Sequence, residues 1–322
     1  METCRNRILS TLLFAGAPFY FYAPKAILNK RFGCNFDVAY YHFRKNHRNA
    51  VNLTCHVLCL FLQLFGNFAL LHAIDERNKD APLRKVLPEN LRGIGLFSLI
   101  SALVWFNVQI RAGGIPMTIK SLSCCVIAMA FFVAPYITPE FLDAFGYGGF
   151  LLSLLLSNVA SGGTIVAKSD MMKVFIGLPT LRAAFAYLEQ SSTFEMYKGG
   201  SSQTVVLCIA MAWVFGLPLL MRNPIKPLVI SSTILLRVAY GLTGDTRLFF
   251  LSYGFFASLL QGITHKVVKE EATLVALERK GDKAKISFEY GHVVHFPNLA
   301  LSAIFDALQG VPPPKRPEGL TE

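Results

Sequence analysis

The chain has 322 residues, 53% of them hydrophobic and only 16% charged, with a formal net charge of +11 and a mean hydropathy of +0.45. A soluble domain carries about 25% charged residues, so this composition excludes an ordinary soluble protein and points to an all-α polytopic transmembrane bundle. The basic residues cluster at the ends of apolar runs with no aromatic-interleaved stripe between them, which makes them membrane flanks and argues against a nucleic-acid partner.

In chain order, residues 1–38 carry an apolar run over 8–22 that is broken by Pro18 and lacks a clean small-residue cleavage site. This reads as a signal anchor or an interfacial helix. Residues 39–309 read as one integral membrane domain, with a front section over 39–74, an apolar middle over 91–240 and a back section over 246–309. Runs approaching the ~20 apolar residues that cross a bilayer fall at 51–74, 91–110, 122–137, 141–167, 205–221, 225–240 and 248–263. With 8–22 they predict about seven to eight spans. Gly- and Pro-containing turns at 111–116 and 136–140 predict tight hairpins. Hydropathy falls over 161–203, which reads as an extramembrane or interfacial excursion. The charged stretch 266–285 is expected in water, and the Pro-rich tail 310–322 is expected to be disordered. Basic residues flank both ends of the first strong span, so the positive-inside rule gives no orientation. The seven cysteines show neither a CxxC pair nor secreted spacing and read as buried thiols.

Histidine is confined to the two ends of this pattern: His42, His47, His56 and His72 in front, His265, His292 and His295 behind. An imidazole or carboxamide facing hydrocarbon without a partner costs roughly 2–7 kcal/mol, so such residues normally line an interior, a wet cavity or a metal site. At ~100° per residue, Asn49, Asn52 and His56 share a narrow sector, while His47 lies opposite His56 on a straight helix. Starting the helix at Asn49, a good N-cap residue, frees His47 to fold over its mouth. A continuous helix would instead pair His42 with His56. Gln261 and His265 stand one turn apart, and His292 and His295 share a face only if their segment is helical. The expectation is a polar, histidine-lined site at span ends, formed where the two separated segments meet. His72, beside a charged loop, fits an interfacial residue, and the Asn49, Asn52 and His56 set also fits a cap with interhelical hydrogen bonds.

The pattern His47-x-Asn49-x-x-Asn52-x-x-x-His56 entering a span resembles the front signature of the fungal 2-hydroxy fatty acid dioxygenase family, small multispan endoplasmic reticulum proteins of fatty acid α-oxidation. Gln261-x-x-x-His265 is similar to its second signature, with Thr264 in place of a glycine, and the segment from Glu270 to Leu274 falls where that family has Phe-Glu and Pro-Ala-Leu. The likeness covers residues 39–73 and 246–274; the middle and the 266–295 stretch depart from it. It implies an Fe2+ cofactor, a long-chain 2-hydroxy fatty acid and O2 as substrates, and a product one carbon shorter. It further implies His47, His56 and His265 as ligands, with Asn49, Asn52 and Gln261 orienting imidazoles from behind; the confinement of histidine to the two ends adds His292, with His42 and His295 as alternates. Non-haem iron commonly takes two histidines and a carboxylate, which brings in Glu270, Glu271 and Glu289. A transporter using the same polar groups as a substrate path, or a non-enzymatic multispan protein, are the competing expectations.

Overall fold

The structure is a computed structural model that describes residues 26, 34–79, 95–190, 225–278 and 282–318. Among the described residues the fold is all-α: α1 (Phe36–Lys45), α2 (Ala50–Arg77), α3 (Leu96–Arg111), α4 (Met117–Val133) continued by a 3-10 turn (Ala134–Tyr136), α5 (Pro139–Ala160), α6 (Lys168–Gln190), α7 (Ile225–Thr243), α8 (Thr246–Val267), α9 (Thr273–Glu278) and α10 (Asp282–Leu308).

The organising element is α2, apolar on nearly every side and buried from Val51 to Leu70 apart from a few half-buried positions. A helix apolar all round belongs in the middle of a bundle, and α2 packs against α8, α5, α10, α3 and α4. Its closest approach is to α8, where a Cβ added at Gly66 would lie 2.9 Å from Cβ of Tyr253. Hydrogen at that position lets the two backbones close up, the usual device of helix pairs in hydrocarbon. The turn between α7 and α8 is equally economical. Gly244 takes φ of +67°, and the Asp245 side chain then caps α8 by accepting from the Arg247 N–H at 3.0 Å.

Among the described residues, four helices are long and apolar enough to cross a membrane: Ala50–Arg77, Met117–Tyr136, Pro139–Ala160 and Thr246–Val267. Two more apolar helices, Leu96–Arg111 and Val229–Thr243, are shorter. The spans expected at 8–22 and 205–221 lie outside the described residues. The outward faces of α3, α4 and α5 carry Leu103 (56% exposed), Phe132 (69%) and Leu156 (57%), a belt of the kind that hydrocarbon covers. The segment 161–203 contains α6, which buries Met171, Val174, Leu178 and Phe185 at helical spacing while packing on α7 and α5.

Polar contacts pin the helices at their ends and along one seam. Asp75, buried at the far end of α2, accepts from the Phe97 N–H at 2.9 Å and from the Ser98 N–H and Oγ at 3.0 and 2.6 Å. It thereby caps α3, whose own N-cap position is Gly95 and supplies no side-chain bond. Beside Pro297 of α10, Gln109 donates to the Val294 carbonyl at 2.9 Å, Ser123 donates to Asn298 Oδ1 at 2.6 Å, and Asn298 donates to the Gln109 carbonyl at 3.2 Å. The Pro-rich segment after α10 is described to residue 318, and it is anchored at Val311, which donates its N–H to the Asp306 carbonyl at 2.8 Å and accepts from buried Arg44 at 3.3 Å.

The strongest knot is Arg237, fully buried on α7. It binds Asp143 of α5 and, at 2.9 Å, Glu189 of α6, while Tyr253 of α8 also donates to Asp143. Its guanidinium lies 3.9 Å from the Phe249 ring centroid, so four helices share one cation. Removing one partner of a buried ion network strands the others and costs about 3–5 kcal/mol. Arg237→Met is therefore expected to lower thermal stability sharply in detergent, whereas the double variant with Asp143→Asn should recover part of the loss; equal stability of wild type and Arg237→Met would contradict this role.

Candidate metal centre

The site forms where the N-terminal end of α2 meets the C-terminal end of α8. α1 stops at Lys45, and Asn49 caps α2 by accepting from the Val51 N–H at 2.8 Å. His47 lies in the break between them and folds back over the α2 mouth. His56 projects from α2, and His265 from the last turn of α8. All three are buried, and one ligand atom from each lies within 4.8 Å of the others. Their ring centroids are 4.4 Å (His47–His56), 4.6 Å (His47–His265) and 5.0 Å (His56–His265) apart.

The hydrogen bonds around the rings fix their chemistry. Nδ1 of His47 lies 2.7 Å from the Phe43 carbonyl and Nδ1 of His56 lies 2.8 Å from the Asn52 carbonyl. A carbonyl accepts only, so each Nδ1 carries the ring proton and each Nε2 presents a lone pair. Those two Nε2 atoms face one another at 3.1 Å. Two lone pairs at that distance repel unless a cation lies between them, and burial together with the neighbouring imidazoles holds the His47 pKa well below its ordinary value, which disfavours a proton in that place. Nitrogens sharing a metal at ~2.1 Å stand roughly 3.0–3.4 Å apart, so this donor pair fits a metal ion.

His265 is held differently. Asn52 Nδ2 donates to Glu270 Oε2 at 2.8 Å and approaches Nδ1 of His265 at 3.3 Å. The Glu270 backbone also acts on the His265 ring as a hydrogen-bond partner, so this imidazole, unlike the other two, has both an amide donor and a carbonyl acceptor beside it and either ring nitrogen can carry its proton.

Glu270 organises this end of the bundle. Oε1 accepts the backbone N–H groups of Arg48 and Asn49 at 2.9 and 2.8 Å, and the Glu270 N–H donates to the His265 carbonyl at 3.0 Å. Lys269, the one non-glycine residue with positive φ (60°) among the described residues, makes the left-handed turn that points Glu270 back at α2. The sequence places Glu270 in a water-facing stretch and offers it as a carboxylate ligand; instead both oxygens are engaged by N–H groups, and the group of close ligand atoms contains the three imidazoles alone. Nothing in residue type or spacing marks it as the clamp, because its partners are backbone N–H groups 221 and 222 positions away. Glu271 is exposed, and the side chain of Glu289 lies outside the described residues.

The remaining candidates stand apart from the three imidazoles. Phe43 stacks on His47 at 4.0 Å between centroids and on His292 at 5.8 Å, which sets His292 one ring behind the centre. His295 meets the edge of Phe36, and His42 packs against Tyr41 and Phe288. Both back histidines lie on helical α10 and face α1. Of the proposed orienting residues, Asn52 touches two imidazoles, Asn49 caps the helix, and Gln261 bonds to none of them. His72 is half-buried near the far end of α2. No family model, curated protein or solved structure matches this chain.

Two outcomes follow for this end of the fold. Glu270→Ala leaves three N–H donors without their charged acceptor and should cost about 2–3 kcal/mol; Glu270→Gln, which keeps one oxygen for the helix mouth, should lose clearly less in thermal melts. Burial also lowers the pKa of His292 and His295 to about 4. Between their ordinary value of 6.5 and about 4 the unfolded chain takes up protons that the folded chain refuses, so stability falls as pH drops through that window. Melting midpoints across this range should show the fall, and His295→Phe should flatten it.

Proposed function

We propose that this protein is an Fe(II)-dependent dioxygenase that shortens long-chain 2-hydroxy fatty acids by one carbon, in the endoplasmic reticulum membrane. The observation that carries the reading is the pair of Nε2 lone pairs of His47 and His56, 3.1 Å apart with His265 beside them, formed from the residues that resemble that family's two signatures. Imidazoles without a thiolate suit iron.

His47, His56 and His265 would hold the metal, which when bound supplies redox access to O2. Asn52 orients two of the rings and Glu270 keeps the two helix ends in register. The reaction balances with one O2 per substrate. The C1–C2 bond breaks, C2 becomes the new carboxyl group, and the old carboxyl carbon leaves as CO2 with one water, a four-electron oxidation. Because the site lies at the ends of two apolar helices, an amphiphile's head group can reach it while its chain stays in the bilayer. The proposed architecture has seven to eight spans, adding α3, α7 and the runs at 8–22 and 205–221 to the four long helices.

The test is purified full-length protein with Fe(II), oxygen and a series of 2-hydroxy acids, read by mass spectrometry for the shortened acid. Each buried methylene adds about 0.8 kcal/mol, so long acids should bind far more tightly than short ones. His56→Ala and His265→Ala should abolish turnover with little loss of folded protein, and His72→Ala should be nearly silent. Equal rates with and without a strong iron chelator would reject the mechanism.

A further inference from the structure

Beyond the three imidazoles, α2 carries two more buried polar residues on the same line. At ~100° per residue, Gln63 is offset by about 20° from His56 to one side and Asn67 by about 20° to the other. They lie about 10 and 16 Å further into the bundle. They are only 3% and 1% exposed. α8 runs antiparallel to α2, since His265 meets His56 while Tyr253 meets Gly66. Gln261, one turn before His265, therefore lies on the inward side of the imidazoles as well.

None of these carboxamides is fully satisfied among the described residues. Gln63 Oε1, both polar atoms of Asn67 and Gln261 Nε2 are buried without a hydrogen-bond partner there. A buried polar atom left unpaired costs about 1–3 kcal/mol, and three of them on the α2 line with a fourth on α8 would be a heavy burden for positions that leucine fills at no such cost. The neighbouring position Leu64 is fully buried and apolar, as is Leu60 between His56 and Gln63, so polar side chains on this side of α2 are placed singly among apolar ones.

We propose that Gln63, Asn67 and Gln261 bind a file of ordered water that extends from the His47, His56 and His265 cluster into the bundle interior. Water is the occupant that matches the chemistry: a carboxamide offers both donors and acceptors, and buried water typically takes about three hydrogen bonds from such groups. A hydrocarbon chain laid along the same line would leave all four atoms unpaired. This inference does not depend on iron or on the dioxygenase reading.

The experiment is a water-resolving crystal structure of the full chain in a lipidic phase, supported by thermal melts of isosteric variants. Ordered density is expected within hydrogen-bond distance of Asn67 and of Gln63 Oε1; a dry interior or continuous acyl-chain density there would overturn the proposal. Asn67→Asp places a carboxylate at the same volume. In a hydrated file its loss in melting midpoint should be less than half that of Leu64→Asp, one helical position from Gln63. A loss as large as that of Leu64→Asp would also overturn it, as would a gain in stability for Gln63→Met, which is the mark of an unsatisfied dry amide.

Discussion

The centre depends on one contact, the stitch between the C-terminal end of α8 and the N-terminal end of α2. A helix mouth leaves its first N–H groups without partners, and here the Glu270 carboxylate takes up that of the N-cap Asn49 and that of Arg48 just before it through one oxygen, and the Asn52 amide through the other. The same residue's N–H closes the end of α8 on the His265 carbonyl. The position of His265 relative to His56 is thus set by one side chain that touches neither imidazole, and the negative charge lies at the positive end of the α2 dipole, where it is favoured.

This arrangement answers a problem particular to helices in hydrocarbon. Lipid is as apolar as leucine, so burial alone does little to bring two spans together, and packing and polar contacts must do so. The bundle meets that requirement at both ends of α8. The Arg237 knot ties its first half to α5, α6 and α7, the Glu270 stitch ties its last turn to α2, and between them α2 and α8 approach closely at Gly66. Registration at two points leaves little freedom to slide, which is what a three-imidazole centre assembled from distant segments needs.

Some of this was legible in the sequence and some was not, for physical reasons. The start of α2 at Asn49 follows from local capping chemistry, and it alone turns His47 off the helix and toward His56. The concentration of histidine at the two ends of the chain likewise anticipates a meeting of front and back segments. His292 could not be ranked from spacing, because its distance from the centre is set by Phe43, an apolar residue that carries no polar signal. Glu270 was legible as a candidate carboxylate ligand but not as a clamp, since two of its three partners are backbone N–H groups, which are the same in every residue. The Arg237 knot draws on Asp143, Glu189 and Tyr253, each unremarkable in its own segment and joined only by packing.

The centre's parts also lie far apart along the chain: Asn52 and His265 are separated by 213 residues. At synthesis rates of about 5–20 residues per second, that interval takes roughly 10–40 s. During it His47 and His56 are already made while their third partner and the Glu270 clamp do not yet exist. The buried Arg44, which donates to the His47 carbonyl at 2.6 Å and to that of Val311, waits longer still. A newly inserted front half therefore carries His47 and His56 before His265 exists, and the three-imidazole group that could hold a metal ion is complete only once the back half has arrived.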